Sequence, residues 1–231
     1  MDMMTQLLAE NLTKSYPIPA GPPLEVLSGV TLSLQARESV AILGPSGSGK
    51  STLLNIIGSL EYPDMGSLAY KGKDITGKSE KELDDFRNRE IGFVFQFHHL
   101  LPQCTLLENV LIPTLMLKDK KSKSEKLAQA EHLLKRVGIW DHRDKLPGKM
   151  SGGECQRAAV VRAMINKPSL LLADEPTGAL DSESVEIMTD LLLDLNKNDG
   201  LALLVVTHSV ELAARMDKTY ELRNGKLELK G

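Results

Sequence analysis

The sequence predicts an α/β domain built on a mixed, mostly parallel core sheet, with an antiparallel β edge and an inserted helical lobe. Three observations predict it. Val40–Leu43, Leu170–Ala173 and Leu203–Val206 are continuous apolar runs of strand length, as expected of strands buried on both faces. Helical patterns separate these runs, and parallel strands need such crossovers. From about Leu100 to Pro168 the pattern is helical almost throughout, which places a lobe of helices between sheet elements.

The elements follow in order. The chain up to Gln35, and again over Gly66–Lys71, reads as the antiparallel edge, because Val30-Thr31-Leu32-Ser33-Leu34 alternates apolar and polar. Val40–Leu43 leads at once into a glycine-rich loop and then into Thr52–Ile57, a helical pattern. Ile91–Phe95 is a further strand, ending at Gln96. In the lobe, Thr105…Glu108 and Ser151…Glu154 match the S/T-x-x-E capping box that opens a helix. The one low-complexity stretch is the lysine-rich run Lys118–Lys126. Lys218–Leu229 reads as a terminal hairpin turned at Asn224-Gly225. With 231 residues the chain makes one domain: residues 1–96 and 169–231 form the sheet core and about 97–168 the helical lobe.

Composition narrows the function. A formal net charge of −3 gives no basic field for non-specific nucleic-acid binding, so no nucleic-acid partner is expected. The cysteines Cys104 and Cys155 have no metal-site spacing and read as free thiols of a reducing compartment. Met1–Glu10 carries an acid and too short an apolar stretch for a signal peptide, and no run approaches the roughly 20 apolar residues of a membrane span. The chain is therefore expected in the cytoplasm, with any membrane role exercised through partners.

Gly44-Pro45-Ser46-Gly47-Ser48-Gly49-Lys50-Ser51 matches G-x-x-x-x-G-K-[ST] between a strand and a helix. Phosphate oxygens need several backbone N–H donors converging on one point, and glycine lets the chain curl that closely. The helix N-terminus adds partial positive charge, Lys50 a cation for the β/γ-phosphates, and Ser51 a hydroxyl for Mg²⁺. Thr52 completes the nucleotide-binding set. Hydrolysis also needs an acid on the metal and a group that orients water. Asp174 and Glu175 follow a buried strand and fit those two roles, Asp174 on Mg²⁺ and Glu175 on the attacking water. His208 ends another such strand, where a γ-phosphate-sensing role competes with a purely structural one.

Met150-Ser151-Gly152-Gly153-Glu154-Cys155-Gln156-Arg157 resembles the signature L-S-G-G-E/Q-x-x-R of the ATP-binding cassette (ABC) ATPases. Tyr16, the phosphate loop, Gln96, the signature, Asp174-Glu175, Asp181 and His208 stand in that family's order across nearly the whole chain. The resemblance implies a P-loop NTPase of ABC type with a RecA-like core, binding ATP and Mg²⁺. It implies that Tyr16 stacks on adenine and that Gln96 touches Mg²⁺ and the attacking water. Lys50, Glu175 and His208 would be the catalytic groups, and Ser51, Gln96 and Asp174 the metal set. Ser151, Gly152, Gly153 and Glu154 would grip the γ-phosphate bound on a second copy, making a head-to-tail homodimer, with Asp181 communicating across it. Met150 and Cys155 depart from the usual signature without touching the phosphate-gripping groups.

Phe95-Gln96-Phe97-His98-His99-Leu100-Leu101-Pro102 and Ala173–Asp181 look like the ATPase subunit of the bacterial lipoprotein-releasing (Lol) system, and the second string is also similar to the macrolide-export (MacB) and cell-division (FtsE) ATPases. The first resemblance implies a peripheral subunit on the cytoplasmic face of the inner membrane. It would pair with two inner-membrane subunits of the LolC/LolE kind and power release of outer-membrane lipoproteins to a periplasmic chaperone. A mechanotransmitting or drug-export relative is the alternative. A soluble ABC ATPase of DNA repair or translation is disfavoured, because the chain has no second cassette, long coiled coil or basic surface.

Overall fold

The computed structural model describes residues 5–19, 21–116 and 122–230. Of the lysine-rich run, residues 118–121 lie outside the described residues, as do residues 1–4 of the segment weighed as a signal peptide. Ten strands, β1 (Thr5–Tyr16), β2 (Leu24–Gln35), β3 (Ser39–Leu43), β4 (Met65–Tyr70), β5 (Lys73–Asp74), β6 (Ile91–Val94), β7 (Leu170–Asp174), β8 (Ala202–Thr207), β9 (Lys218–Arg223) and β10 (Lys226–Leu229), form two sheets among the described residues. Seven α-helices accompany them: α1 (Lys50–Ile57), α2 (Glu80–Glu90), α3 (Leu106–Leu111), α4 (Lys123–Arg136), α5 (Gly152–Met164), α6 (Ser182–Asp199) and α7 (Val210–Ala213). No helix among the described residues is long and apolar enough to cross a membrane.

The larger sheet has the order β10-β9-β3-β8-β7-β6, parallel throughout except for the β9–β10 hairpin. That hairpin turns at Asn224–Gly225 with both φ angles positive, the type I′ geometry that suits right-twisted strands. The other antiparallel strands are not an edge of this sheet. They close a sheet of their own, β2-β1-β4-β5, laid beside the first. Alternation in Val30–Leu34 reports that one face is buried; it does not report which sheet's hydrogen bonds the strand satisfies. A second difference is smaller. The ladder of β6 stops at Val94, because the Phe95 carbonyl turns to accept a 2.6 Å bond from the Gln156 amide on α5.

The central strands β3, β8 and β7 of the larger sheet are buried on both faces, and their side chains divide between two cores by the two-residue period. Leu170, Leu172, Leu204 and Val206 join α1 and the small sheet in one core. Leu171, Ala173, Leu203 and Val205 join α3, α4, α5 and α6 in the other. The helical lobe is thus packed into the same core as the sheet's second face. At about 25 cal/mol per Å² of apolar area, each fully buried leucine of α1 or β7 stabilises the fold by roughly 2 kcal/mol.

Both capping boxes in the lobe form. Ser151 and Glu154 exchange bonds at the start of α5, and Thr105 and Glu108 do so at α3. Two further boxes, Ser79 with Glu82 at α2 and Ser122 with Glu125 at α4, obey the same four-residue rule. Cys104 and Cys155 are both free thiols.

Candidate nucleotide site

A cavity of about 580 Å³ opens at the carboxyl ends of β3, β6, β7 and β8, where α/β sheets bind ligands. Ser46, Gly47, Gly49, Lys50, Ser51 and Thr52 supply one wall from the loop after β3 and the first turn of α1. Gln96, Asp174, Glu175 and His208 supply the facing wall from the ends of three neighbouring strands. Val26 of β2 closes one end, a lining residue that no motif marks.

The loop is shaped by what surrounds it. Gly49 caps α1 at φ +99°, and a Cβ there would lie 2.7 Å from the Val26 side chain. Glycine therefore both permits the turn and lets β2 approach it. Lys50 is buried, with its ammonium donating to the Gly44 and Pro45 carbonyls at 2.9 and 3.1 Å. Gly44, Pro45 and Ser48 stand behind the lining rather than in it; the first two hold the lysine.

Glu175 sits at φ +45°, an uncommon backbone state for a residue with a side chain. Its N–H donates to the Val206 carbonyl at 2.8 Å, which fixes the turn to β8. Glu175 Oε2 accepts the His208 N–H at 3.1 Å and lies 2.9 Å from His208 Nδ1, while Oε1 is 3.8 Å from Lys50 Nζ. One carboxylate thus bridges the ends of β7 and β8 and faces the loop cation. Burial pushes the Asp174 carboxyl above its ordinary range; the Glu175 charge adds to the shift, and the Ser51 hydroxyl and Lys50 oppose it.

The remaining candidates lie outside the lining. Tyr16 ends β1, its hydroxyl 3.4 Å from Thr52 Oγ1 at the cavity's margin. Ser151 is the N-cap of α5, its hydroxyl accepting the Glu154 N–H at 3.2 Å and its own N–H donating to Glu154 Oε2 at 2.7 Å. The Ser151 N–H bond holds the Glu154 carboxyl below the usual carboxylate range. A Cβ on Gly153 would lie 2.7 Å from Ser184 Oγ, so the signature helix rides directly on the start of α6. Asp181 caps α6 by accepting the Ser184 N–H at 2.9 Å and the Ser184 hydroxyl at 3.0 Å. None of Ser151, Gly152, Gly153, Glu154 or Asp181 lines this chain's own cavity.

Sequence reasoning missed the residues that hold the Gln96 segment. Gln156 is buried and binds the Phe95 carbonyl. Arg162, also on α5, donates to the His98 and His99 carbonyls at 2.8 and 2.6 Å. Buried Asn109 bonds both the N–H and the carbonyl of Leu101, and the carbonyls of Cys104 and Thr105. Hydrogen bonds from side chain to distant backbone have no spacing rule, and of these three residues only Gln156 falls within the signature string. The His98-His99 pair proves to be part of this fastening, with His98 Nδ1 accepting the Leu100 N–H at 3.1 Å.

Comparison with known proteins agrees with this geometry. The ABC transporter family model matches residues 27–178. The lipoprotein-releasing system ATP-binding protein LolD 1 of Rhodopirellula baltica is 47% identical over 97% of both chains. LolD of Idiomarina loihiensis is 46% identical over 96% of both. Among solved structures, the dimeric ABC transporter cassette MJ0796 superposes with a TM-score of 0.89 at 37% identity, covering 97% of this chain and 99% of that one. The same cassette has also been solved as a dimer in a post-hydrolysis state bound to ADP and Pi, with the same scores. The phosphate loop, the acids at the end of β7 and the signature at the start of α5 thus sit on a fold shared along its whole length: the chain belongs to the ABC transporter family, in the group of the lipoprotein-releasing system ATP-binding proteins.

Proposed function

We propose that this ATPase powers the release of outer-membrane lipoproteins from the inner membrane to a periplasmic chaperone, working from the cytoplasmic face as a homodimer beneath two membrane subunits. The observation that carries the cargo assignment is the near-full-length identity, 44–47%, to relatives named for lipoprotein release. The chain reads as one nucleotide-binding domain, with residues 1–96 and 169–231 as core and about 97–168 as the signature lobe.

ATP would lie with its base against Tyr16 and its phosphates in Gly44–Ser51 and Thr52. Ser51, Asp174 and Gln96 bring a hydroxyl, a carboxylate and an amide oxygen to one cavity. That set suits Mg²⁺, which takes one or two carboxylates and completes its shell from phosphate and water. The bound cation would neutralise charge developing on the β- and γ-oxygens. Glu175 orients the attacking water and accepts its proton on the oxygen facing Lys50, its other oxygen being held by His208. His208 would exchange part of that contact for the γ-phosphate.

The signature residues do not line the chain's own cavity, which supports a site completed by a second copy packed head to tail. Within each chain α5 joins the two tasks, presenting Ser151–Glu154 at one end and holding the Gln96 segment through Gln156 and Arg162. Beside that segment lies a groove of about 510 Å³ walled by Leu60, Phe93, Phe95, Pro113 and Met116, with Asp84, Asp85 and Arg87 on its margin. A cytoplasmic helix of a membrane subunit would dock there, so that closure of the dimer pulls on it.

Two measurements test this reading. Lys50→Ala lowers ATP affinity by about 10- to 100-fold, the size of a buried charge-assisted contact to phosphate; an unchanged titration curve contradicts the cradle. Isolation of the complex from native membranes is expected to yield two membrane subunits and bound lipoprotein. Recovery of a divisome protein or a drug-export subunit in their place would transfer the engine to another cargo, and recovery of nucleic acid would remove it from transport.

A further inference from the structure

Tyr16 does not stand free at the end of β1. Its hydroxyl donates to Glu61 Oε1 at 2.7 Å and lies 3.4 Å from Thr52 Oγ1. Thr52 is in the first turn of α1 and lines the cavity, and Glu61 follows that helix by four residues. The phenol is therefore tied to the helix whose N-terminus opens the phosphate loop.

The tether is itself braced. Lys14 Nζ lies 3.3 Å from the same Glu61 oxygen, donates to the Tyr62 carbonyl at 2.7 Å and is 3.5 Å from Asp64 Oδ1. Asp64 accepts the Ser15 N–H at 2.7 Å and donates its own N–H to the Thr13 carbonyl at 2.9 Å. Residues 61–64 thus clamp the last four residues of β1 against the end of α1. The Lys14 ammonium also lies 5.7 Å from the Tyr16 ring centroid, so one cation braces both the phenol ring and its acceptor.

Stacking on a base needs the ring face and makes no use of the hydroxyl. A ring without a tether at a strand end samples several χ1 rotamers and loses that freedom when a ligand fixes it. A nucleotide also has a set length, so the base platform and the phosphate cradle must be held at a matched separation. The Tyr16–Glu61 bond spans those two parts. We propose that Glu61 is a positioning residue for the nucleotide: through the Tyr16 hydroxyl it fixes the ring relative to the phosphate loop, and so supplies much of the base-dependent share of ATP affinity. This rests on Tyr16 being the base platform.

The test is titration of the full chain with ATP and, separately, with inorganic tripolyphosphate, both with Mg²⁺; the second ligand has the phosphates and no base. Glu61→Leu is expected to weaken ATP binding about fivefold, the scale of one hydrogen bond's net contribution, while leaving tripolyphosphate unchanged. Tyr16→Phe, which keeps the ring and drops the hydroxyl, reproduces that loss, and the double variant loses no more than either single one. Glu61→Gln keeps an acceptor and recovers most of the affinity. An equal loss for both ligands in Glu61→Leu would mean a general structural role and overturn the inference. So would unchanged ATP affinity in Glu61→Leu when Tyr16→Ala weakens it, leaving the platform in place. If Tyr16→Ala itself leaves the ratio of the two affinities unchanged, the platform reading falls and the inference with it.

Discussion

Glu175→Gln binds ATP as tightly as the parent chain and loses turnover by about 10²- to 10⁴-fold, the contribution of a positioned general base. An amide of the same shape can still accept the His208 N–H that the carboxylate accepts now, so the bridge from β7 to β8 survives. What it cannot do is take a proton from water. The substitution also removes a negative charge beside the place where the γ-phosphate would lie, a repulsion the nucleotide-bound state otherwise carries. The variant should therefore accumulate as a closed dimer with two trapped ATP molecules, read by size-exclusion chromatography with and without ATP. A monomer in ATP together with undiminished phosphate release would remove Glu175 from the mechanism.

Ser151→Arg should spare ATP binding by a single chain and lower hydrolysis by more than about 100-fold. Loss of the cap costs only about 1 kcal/mol, small against the stability of a domain of this size. The larger effect is functional, because a bulky cation replaces the hydroxyl where α5 would offer its N–H groups to a phosphate on the partner. Ser151→Ala, which removes the cap alone, separates the two contributions and is expected to retain most of the activity. Normal turnover in Ser151→Arg would show that each cavity works without the other chain's signature.

How far these sites were legible depended on how local their physics is. Gly44–Ser51 is a short-range device, in which strand, turn and helix start must be adjacent in sequence, so the string determines the geometry. Asp174-Glu175 and His208 were legible for a related reason, since continuous apolar runs identify central parallel strands and ligands gather at their carboxyl ends. Ser151 and Glu154 were legible as a cap from a four-residue rule, and as a phosphate grip only by resemblance to a family. Gln156, Arg162 and Asn109 carried no such signal, because each acts on backbone groups that only the finished fold brings near. The separate antiparallel sheet was missed for the same reason: alternation marks a face, and the partner strand is a long-range fact. Glu61 escaped as well, since an acid after a helix reads as solvated surface until Tyr16 is seen to reach it.

The division of the large sheet between two cores has a consequence for how this chain can vary. In β7, Leu170 and Leu172 face α1 and the small sheet while Leu171 and Ala173 face the lobe, and the strand ends on Asp174 with Glu175 next in the chain. One inserted or deleted residue would exchange the two faces along the strand and move the acids by about 3.3 Å. Side chains here can be traded for others of similar volume, because each core tolerates repacking. The count of residues between Leu170 and Glu175 cannot be traded. In this strand length is the constrained quantity and composition the free one, so related chains should differ here by substitution and keep their gaps for the loops.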